Sequence, residues 1–276
     1  MADTCDICFR HCVLETNQIG FCRARKNDGG TSVCLNYAKI TSIALDPIEK
    51  KPLARFHPGS SILSVGSFGC NMDCPFCQNS SIACGDEKSV GWEIIAPDKL
   101  AHIADVNRRR GNNIGVAFTY NEPMIGFEYV RDAAREVRKL SMKNVVVTNG
   151  AVGLYALGEV AEYIDAFNID LKGFSEEWYH DLGGDLKTVQ SFIREAVKSA
   201  HVELTTLIIP GENDTDDEMR ELSSWVSSID RTIPLHITRF FPRKHMLDKA
   251  PTPINTLTRL AGIAREAVDT VLIGNV

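Results

Sequence analysis

Three cysteines, Cys70, Cys74 and Cys77, are the residues of this chain best suited by type and spacing to do chemistry. They stand in Gly69-Cys70-Asn71-Met72-Asp73-Cys74-Pro75-Phe76-Cys77-Gln78-Asn79, directly after the apolar run Ile62-Leu63-Ser64-Val65-Gly66. Three thiolates on one short loop can hold three corners of a cubane 4Fe-4S cluster. Such clusters usually take four cysteines, so the fourth iron would be open to another ligand. The competing reading of the same spacing is a zinc site or chance clustering.

Cys5, Cys8, Cys12 and Cys22 form a second set of ligand type, at C-x2-C-x3-C-x9-C spacing. No helical period runs through them, and a segment this small needs a staple or a host domain to fold. They could be a metal knot, zinc or a second 4Fe-4S cluster. They could be a lid whose cysteines approach the first cluster, or reduced thiols packing as small hydrophobes. Cys34, after Thr31-Ser32-Val33, reads as packing, and Cys84 belongs to neither pattern.

The bulk composition narrows the class. The 276 residues carry a net charge of −6, so nothing draws the chain to a nucleic-acid backbone. No apolar run approaches the ~20 residues needed to span a bilayer. Met-Ala-Asp-Thr-Cys lacks the basic and apolar regions of a signal peptide. A cytoplasmic location is expected, where nine cysteines read as metal ligands rather than disulfides. An open-cornered cluster is oxygen-sensitive, so an anaerobic host or niche is expected too.

The elements that must position these residues follow from periodicity. The Asp46–Ser60 stretch, rich in proline, reads as an extended connector. Strands are expected at Ile62–Val65, Ile114–Phe118, Asn144–Val147, Ala166–Ile169, Val202–Ile209 and Leu235–Phe240, with a terminal strand at Val271–Ile273. Helices are expected at Pro97–Arg109, Ile125–Leu140, Leu186–Ala200 and Ile254–Ala267, and Thr215–Glu218 is a capping box opening another. Arg108-Arg109-Arg110 reads as a solvated helix end. Alternating strands and helices argue for parallel βαβ units. The expected fold is α/β, a partial (β/α)6 TIM-like barrel over residues 59–276 with a small Cys-rich segment over 1–58. A doubly wound open sheet is the competing architecture.

In parallel barrels the chemistry sits at the C-terminal strand ends. Those ends hold Thr119-Tyr120-Asn121-Glu122-Pro123, Thr148-Asn149-Gly150, Asp170-Leu171-Lys172, and His236 and Arg239. Each also has a bland reading. Glu122 could be a helix-entry residue, Asn149-Gly150 a plain turn, Asp170–Lys172 a rim ion pair, and His236 a satisfied core histidine.

With the cysteine loop, Asp46-Pro47-Ile48-Glu49-Lys50-Lys51-Pro52 and Ile273-Gly274-Asn275-Val276, these strand ends resemble the AmmeMemoRadiSam-system radical S-adenosylmethionine (SAM) proteins, relatives of pyruvate formate-lyase activating enzyme. Many members of that group continue past the Gly-Asn-Val with a cysteine-containing tail, and what that tail does is outside the resemblance. The resemblance implies a 4Fe-4S cluster on Cys70, Cys74 and Cys77, with SAM on the open iron and Phe76 beside it. It also implies reductive cleavage of SAM to a 5′-deoxyadenosyl radical that abstracts hydrogen from a small-molecule or protein substrate. An electron donor such as flavodoxin or ferredoxin is implied with it. Asn121 and Glu122 replace a GGE-like motif, with Glu122 expected at the SAM ammonium. Thr148, Asn149 and Asp170 are expected near the rest of SAM. Asp170, Lys172, His236 and Arg239 are the expected catalytic residues, and the Asp-x-Lys pair resembles glycyl-radical enzyme activases. The alternatives are such an activase acting on a protein partner, or a non-catalytic iron–sulfur or zinc electron-transfer module.

Overall fold

The structure is a computed structural model and describes residues 2–276. The N-terminal segment is built from short strands. β1 (Asp3–Cys5) pairs with β2 (Cys12–Leu14), and β3 (Arg25–Asp28) with β4 (Thr31–Cys34), both antiparallel. β5 (Lys39–Ile40) later pairs with β8 (Glu93–Ile94). β6 (Ser42–Pro47) and β7 (Ser61–Gly66) run antiparallel and lead into the main sheet.

After the short α1 (Ser80–Ala83), the chain alternates. In order come α2 (Pro97–Arg110), β9 (Asn113–Phe118), α3 (Phe127–Lys139), β10 (Lys143–Thr148), α4 (Leu154–Val160) and β11 (Ala166–Asp170). Then follow α5 (Glu176–Asp181), α6 (Leu186–Ala196), β12 (His201–Ile208), α7 (Asp216–Asp230), β13 (Leu235–Arg239), α8 (Ile254–Ala264) and β14 (Val271–Gly274). The sheet order is β14-β13-β12-β11-β10-β9-β7-β6, with every pair parallel except β6–β7. The expected α/β fold with an alternating parallel sheet is present. α7 starts at the expected cap, where Thr215 Oγ accepts the Glu218 N–H.

The connector expected over 46–60 begins as a strand instead. Proline hid it, yet Pro47 ends an edge strand, where no ladder donor is needed. The chain then turns under the barrel. Ile48 and Leu53 are fully buried against Ile62, Ala117, Val145 and Ala166. Asn168 Nδ2 donates to the Pro52 carbonyl at 2.9 Å, and the Ala54 and Arg55 N–H groups donate to Glu203 at 3.0 and 2.7 Å. Glu203 also meets His236 Nε2 at 2.6 Å and His201 Nε2 at 3.0 Å. Residues 48–55 thus plug the barrel from below, and Glu203 is the peg.

Burial pushes the Glu203 carboxyl up, but the two imidazoles and two amides outweigh it and hold it down at about 2. The folded value lies below the unfolded one of about 4.3. The stabilisation is therefore present above that value and is lost as pH falls toward 2. Glu203→Gln should cost on the order of 3 kcal/mol at pH 6, and about half that at pH 3. Urea unfolding at both pH values reads this directly, and an equal deficit at both would contradict it.

Candidate active site

The loop from Gly69 to Asn79 leaves the C-terminal end of β7 and is fixed by partners from distant parts of the chain. Gly69 has φ +89°, and a Cβ there would meet the Cys22 carbonyl oxygen at 2.3 Å, so only glycine fits. The N-terminal segment therefore presses directly on the loop. Arg10 reinforces this. Its Nε donates to the Asn71 carbonyl and its Nη2 to the Gly183 carbonyl, both at 2.7 Å, and its guanidinium lies 3.5 Å from the Phe21 ring centroid. Asn71, fully buried, donates to the Ala151 carbonyl at 2.7 Å and accepts from Asn149 Nδ2 at 2.9 Å. From the far side, Lys244 Nζ donates to the Cys74 carbonyl at 3.2 Å and also pairs with Asp73. The His245 N–H donates to the Pro75 carbonyl at 2.8 Å.

The three thiols sit in a poorly solvated environment. Burial lifts Cys70 well above the ordinary thiol value, and Glu122 adds to this. Burial pushes Cys74 up to about 11 against the opposing pull of Lys172. Cys77 is raised by burial, opposed by the Asn79 N–H and Lys172. Among the described residues, no three Cys, His, Asp or Glu side chains yet converge at metal-ligand spacing. The donor set nonetheless fits a cluster. Three thiols on one loop feel one another electrostatically, and the Met72 N–H (3.4 Å) and Asn149 Nδ2 (3.6 Å) point at Cys70 Sγ. Hydrogen bonds of this kind stabilise metal-bound thiolate. Cys84 instead donates to Asp73 at 3.6 Å.

Beside the thiols lies a cleft of about 370 Å³ at the C-terminal strand ends. Phe76, Asn121, Glu122, Thr148, Asn149, Asp170 and Lys172, all singled out in the sequence, line it. Their partners refine their roles. Asn121 accepts the Ser67 N–H at 3.0 Å and donates to the Phe68 and Gly69 carbonyls at 3.2 Å, tying β9 to the cysteine loop. Asn149 likewise spends its amide on Asn71, Cys70 and the Ala151 N–H. Both position the loop.

Glu122 is 2% exposed. Its Oε1 accepts from the Met124 N–H at 3.0 Å and Thr148 Oγ1 at 2.7 Å, and its Oε2 from the Asn149 N–H at 2.7 Å. Two carboxylate oxygens offer about four acceptor sites, so one remains for a ligand. Burial pushes the carboxyl up to about 7, although the three donors oppose this.

Lys172 Nζ pairs with Asp170 at 2.7 Å. Burial alone would lower the lysine, but Asp170 and the nearby Cys74 hold it above its usual value. Phe76 stacks on Trp178 at 6.1 Å. The other two expected catalytic residues lie elsewhere. His236 sits one layer below Thr238 on β13, paired with Glu203, outside the cleft lining. Strand alternation gave its face correctly but not its depth. Arg239 opens into a neighbouring cavity instead. Arg10 and Lys244 were not found from sequence, since nothing local marks a residue whose partners are 173 or 170 positions away.

A profile of the Radical SAM superfamily matches residues 64–225. The uncharacterized protein MJ0808 of Methanocaldococcus jannaschii is 35% identical over 275 residues, 99% of this chain and 81% of that protein. The pyruvate formate-lyase 1-activating enzyme of Escherichia coli K12 is 26% identical over 162 residues, 57% of this chain and 65% of the enzyme. The fold matches a radical SAM methyltransferase from Sphaerobacter thermophilus with TM-score 0.60 at 12% identity, over 79% of this chain and 67% of that one.

The raised Glu122 carboxyl makes a prediction about the metal-free protein. Its folded value, about 7, lies above the unfolded one. The favourable contribution is therefore complete below about pH 4.3 and is lost as pH rises through 7. Relative to Glu122→Gln, the wild type should lose up to about 3 kcal/mol of stability between pH 5 and pH 8. Denaturant titrations of both proteins would show a constant difference if the carboxyl titrates normally.

Proposed function

Because the chain belongs to the radical SAM superfamily, we propose that it works as a radical SAM enzyme at the cleft beside Cys70, Cys74 and Cys77. The observation that carries this is the adjacency of the three-thiol loop and the polar cleft containing Glu122, Asp170 and Lys172. When bound, a 4Fe-4S cluster with SAM on its open iron supplies one-electron cleavage of SAM and the 5′-deoxyadenosyl radical that abstracts hydrogen from substrate. Cys70, Cys74 and Cys77 would hold the iron. Glu122 offers its remaining acceptor site to the SAM ammonium, a charge that a buried carboxylate meets well. Asp170 and Lys172 present a paired carboxylate and ammonium to the cofactor or substrate. Phe76, backed by Trp178, walls the cleft and helps keep water out. A flavodoxin- or ferredoxin-like donor is the expected source of the electron.

Support for a second metal comes from the N-terminal cysteines. Cys5 and Cys12 face each other across β1 and β2. Cys8 feels the charges of Cys5, Cys12 and Cys22, and the Arg10 N–H points at its sulfur. The Ala24 and Arg25 N–H groups point at Cys22. Four neighbouring thiols with N–H donors beside them support the reading of a tetrathiolate knot, zinc or a second cluster.

A second reading, an activase that installs a glycyl radical on a partner protein, draws on the Asp170–Lys172 pair and the similarity to the E. coli activating enzyme. An electron paramagnetic resonance glycyl signal on an added glycyl-radical enzyme would favour it.

Anaerobically reconstituted protein given dithionite and SAM should release 5′-deoxyadenosine, and Cys74→Ala should abolish this. No product from a protein with a full complement of iron would overturn the proposal. Metal analysis of the same sample should find about four irons plus about one zinc, or about eight irons, per chain. About four irons and no zinc would remove the second metal.

A further inference from the structure

Arg239 opens into an annex of about 250 Å³ that the radical chemistry leaves unused. Phe76, Gln78, Leu207 and Asn275 line both this annex and the cleft, so the two spaces adjoin along those residues. Arg243 is the annex's second cation.

The lining of the annex carries two cations and no carboxylate. Arg239 Nε donates to the Thr252 carbonyl at 2.8 Å, and its guanidinium lies 5.0 Å from the Phe241 ring centroid. Arg243 makes a single long contact, 3.5 Å, to the Pro242 carbonyl. Among the described residues, neither has a carboxylate within ion-pair distance. The neighbouring cations are neutralised: Lys172 by Asp170 and Lys244 by Asp73. In a chain of net charge −6, carboxylates are not scarce. Two unneutralised guanidiniums on one cavity repel each other, and each offers a fork of donors matched to carboxylate or phosphate oxygens.

The residues at the junction of the two spaces are also held firmly. Phe76 is buried and stacked on Trp178, and the loop carrying Arg243 is anchored to the cysteine loop through Lys244 and His245. A group held in the annex would therefore sit at a fixed offset from the cysteines.

We infer that the annex binds the anionic oxygen group of the substrate, a carboxylate or a phosphate, while the rest of that substrate reaches into the cleft. This rests on the radical SAM reading and adds a substrate class to it. Arg239 becomes a substrate anchor, and Arg243 completes the fork.

Inorganic phosphate and ¹³C-acetate are the probes, titrated into anaerobically reconstituted, SAM-loaded protein and followed by ³¹P and ¹³C relaxation. Reducing the cluster with dithionite makes it paramagnetic, so a probe in the annex should relax faster on reduction, whereas a probe on a distant surface should not. The probe showing the larger effect identifies the group as phosphate or carboxylate. Arg243→Gln, a change at an exposed side chain, should weaken the effective affinity about tenfold, and Arg239→Gln with Arg243→Gln should abolish the effect. Unchanged iron content and circular dichroism would show that the variants are folded. No relaxation change with either probe would overturn the inference, as would a change that survives both substitutions or is present only without SAM. Release of 5′-deoxyadenosine by the wild-type sample tests the underlying reading separately.

Discussion

Poor solvation of the buried Cys74 thiol and the partly buried Cys70 and Cys77 thiols is the constraint on which the rest of the site depends. Iron binds thiolate, yet a poorly solvated environment favours the neutral thiol, and all three are pushed up accordingly. Binding metal here means releasing protons into a setting that resists the resulting charge. The protein compensates with fixed dipoles and one cation. N–H groups of Met72 and Asn79 and the Asn149 amide aim at sulfur, and Lys172 lies close enough to oppose the shift at Cys74 and Cys77. Lys172 can stay charged because Asp170 is beside it. The rim pair and the cysteine loop are thus one electrostatic unit.

The loop must also keep its shape, since three ligands define an open iron corner only if they stay together. Buried polar groups do most of this. Asn71, Asn121 and Asn149 link β7, β9 and β10 through short amide bonds, and Glu122 collects three donors at the same junction. Such networks are costly when incomplete and rigid when complete. Arg10 and the Cys22 carbonyl add the N-terminal segment as a brace. This gives the cysteines at positions 5 to 22 a mechanical consequence: whatever orders that segment also orders the loop carrying Cys70.

Much of this was legible in the sequence. Apolar periodicity located the parallel strands and most helices, because strands buried on both faces and amphipathic helices leave strong patterns. Cysteine spacing located the three-thiol loop beside the cleft, since those residues are close in sequence. Glu122, Asp170 and Lys172 followed from their place at strand ends. What escaped has a common cause. β6 is an edge strand ending in proline, and its pattern looks like a connector. Asn121 and Asn149 have side chains that suit a ligand or a neighbouring backbone equally well, and only the fold shows them bonded to the loop. His236 and Thr238 share a face, but their depth depends on the strap that brings Glu203 its amide partners. Arg239 needed the shape of the β13 loop to show that it faces a different cavity.

The central claim is that the open iron corner beside Cys70, Cys74 and Cys77 receives SAM. The most direct measurement is the electron paramagnetic resonance spectrum of the dithionite-reduced protein with and without SAM. The account predicts a change in g-values and line shape on adding SAM, present in the wild type and lost with Cys70→Ala. A reduced cluster whose spectrum is indifferent to SAM would contradict it.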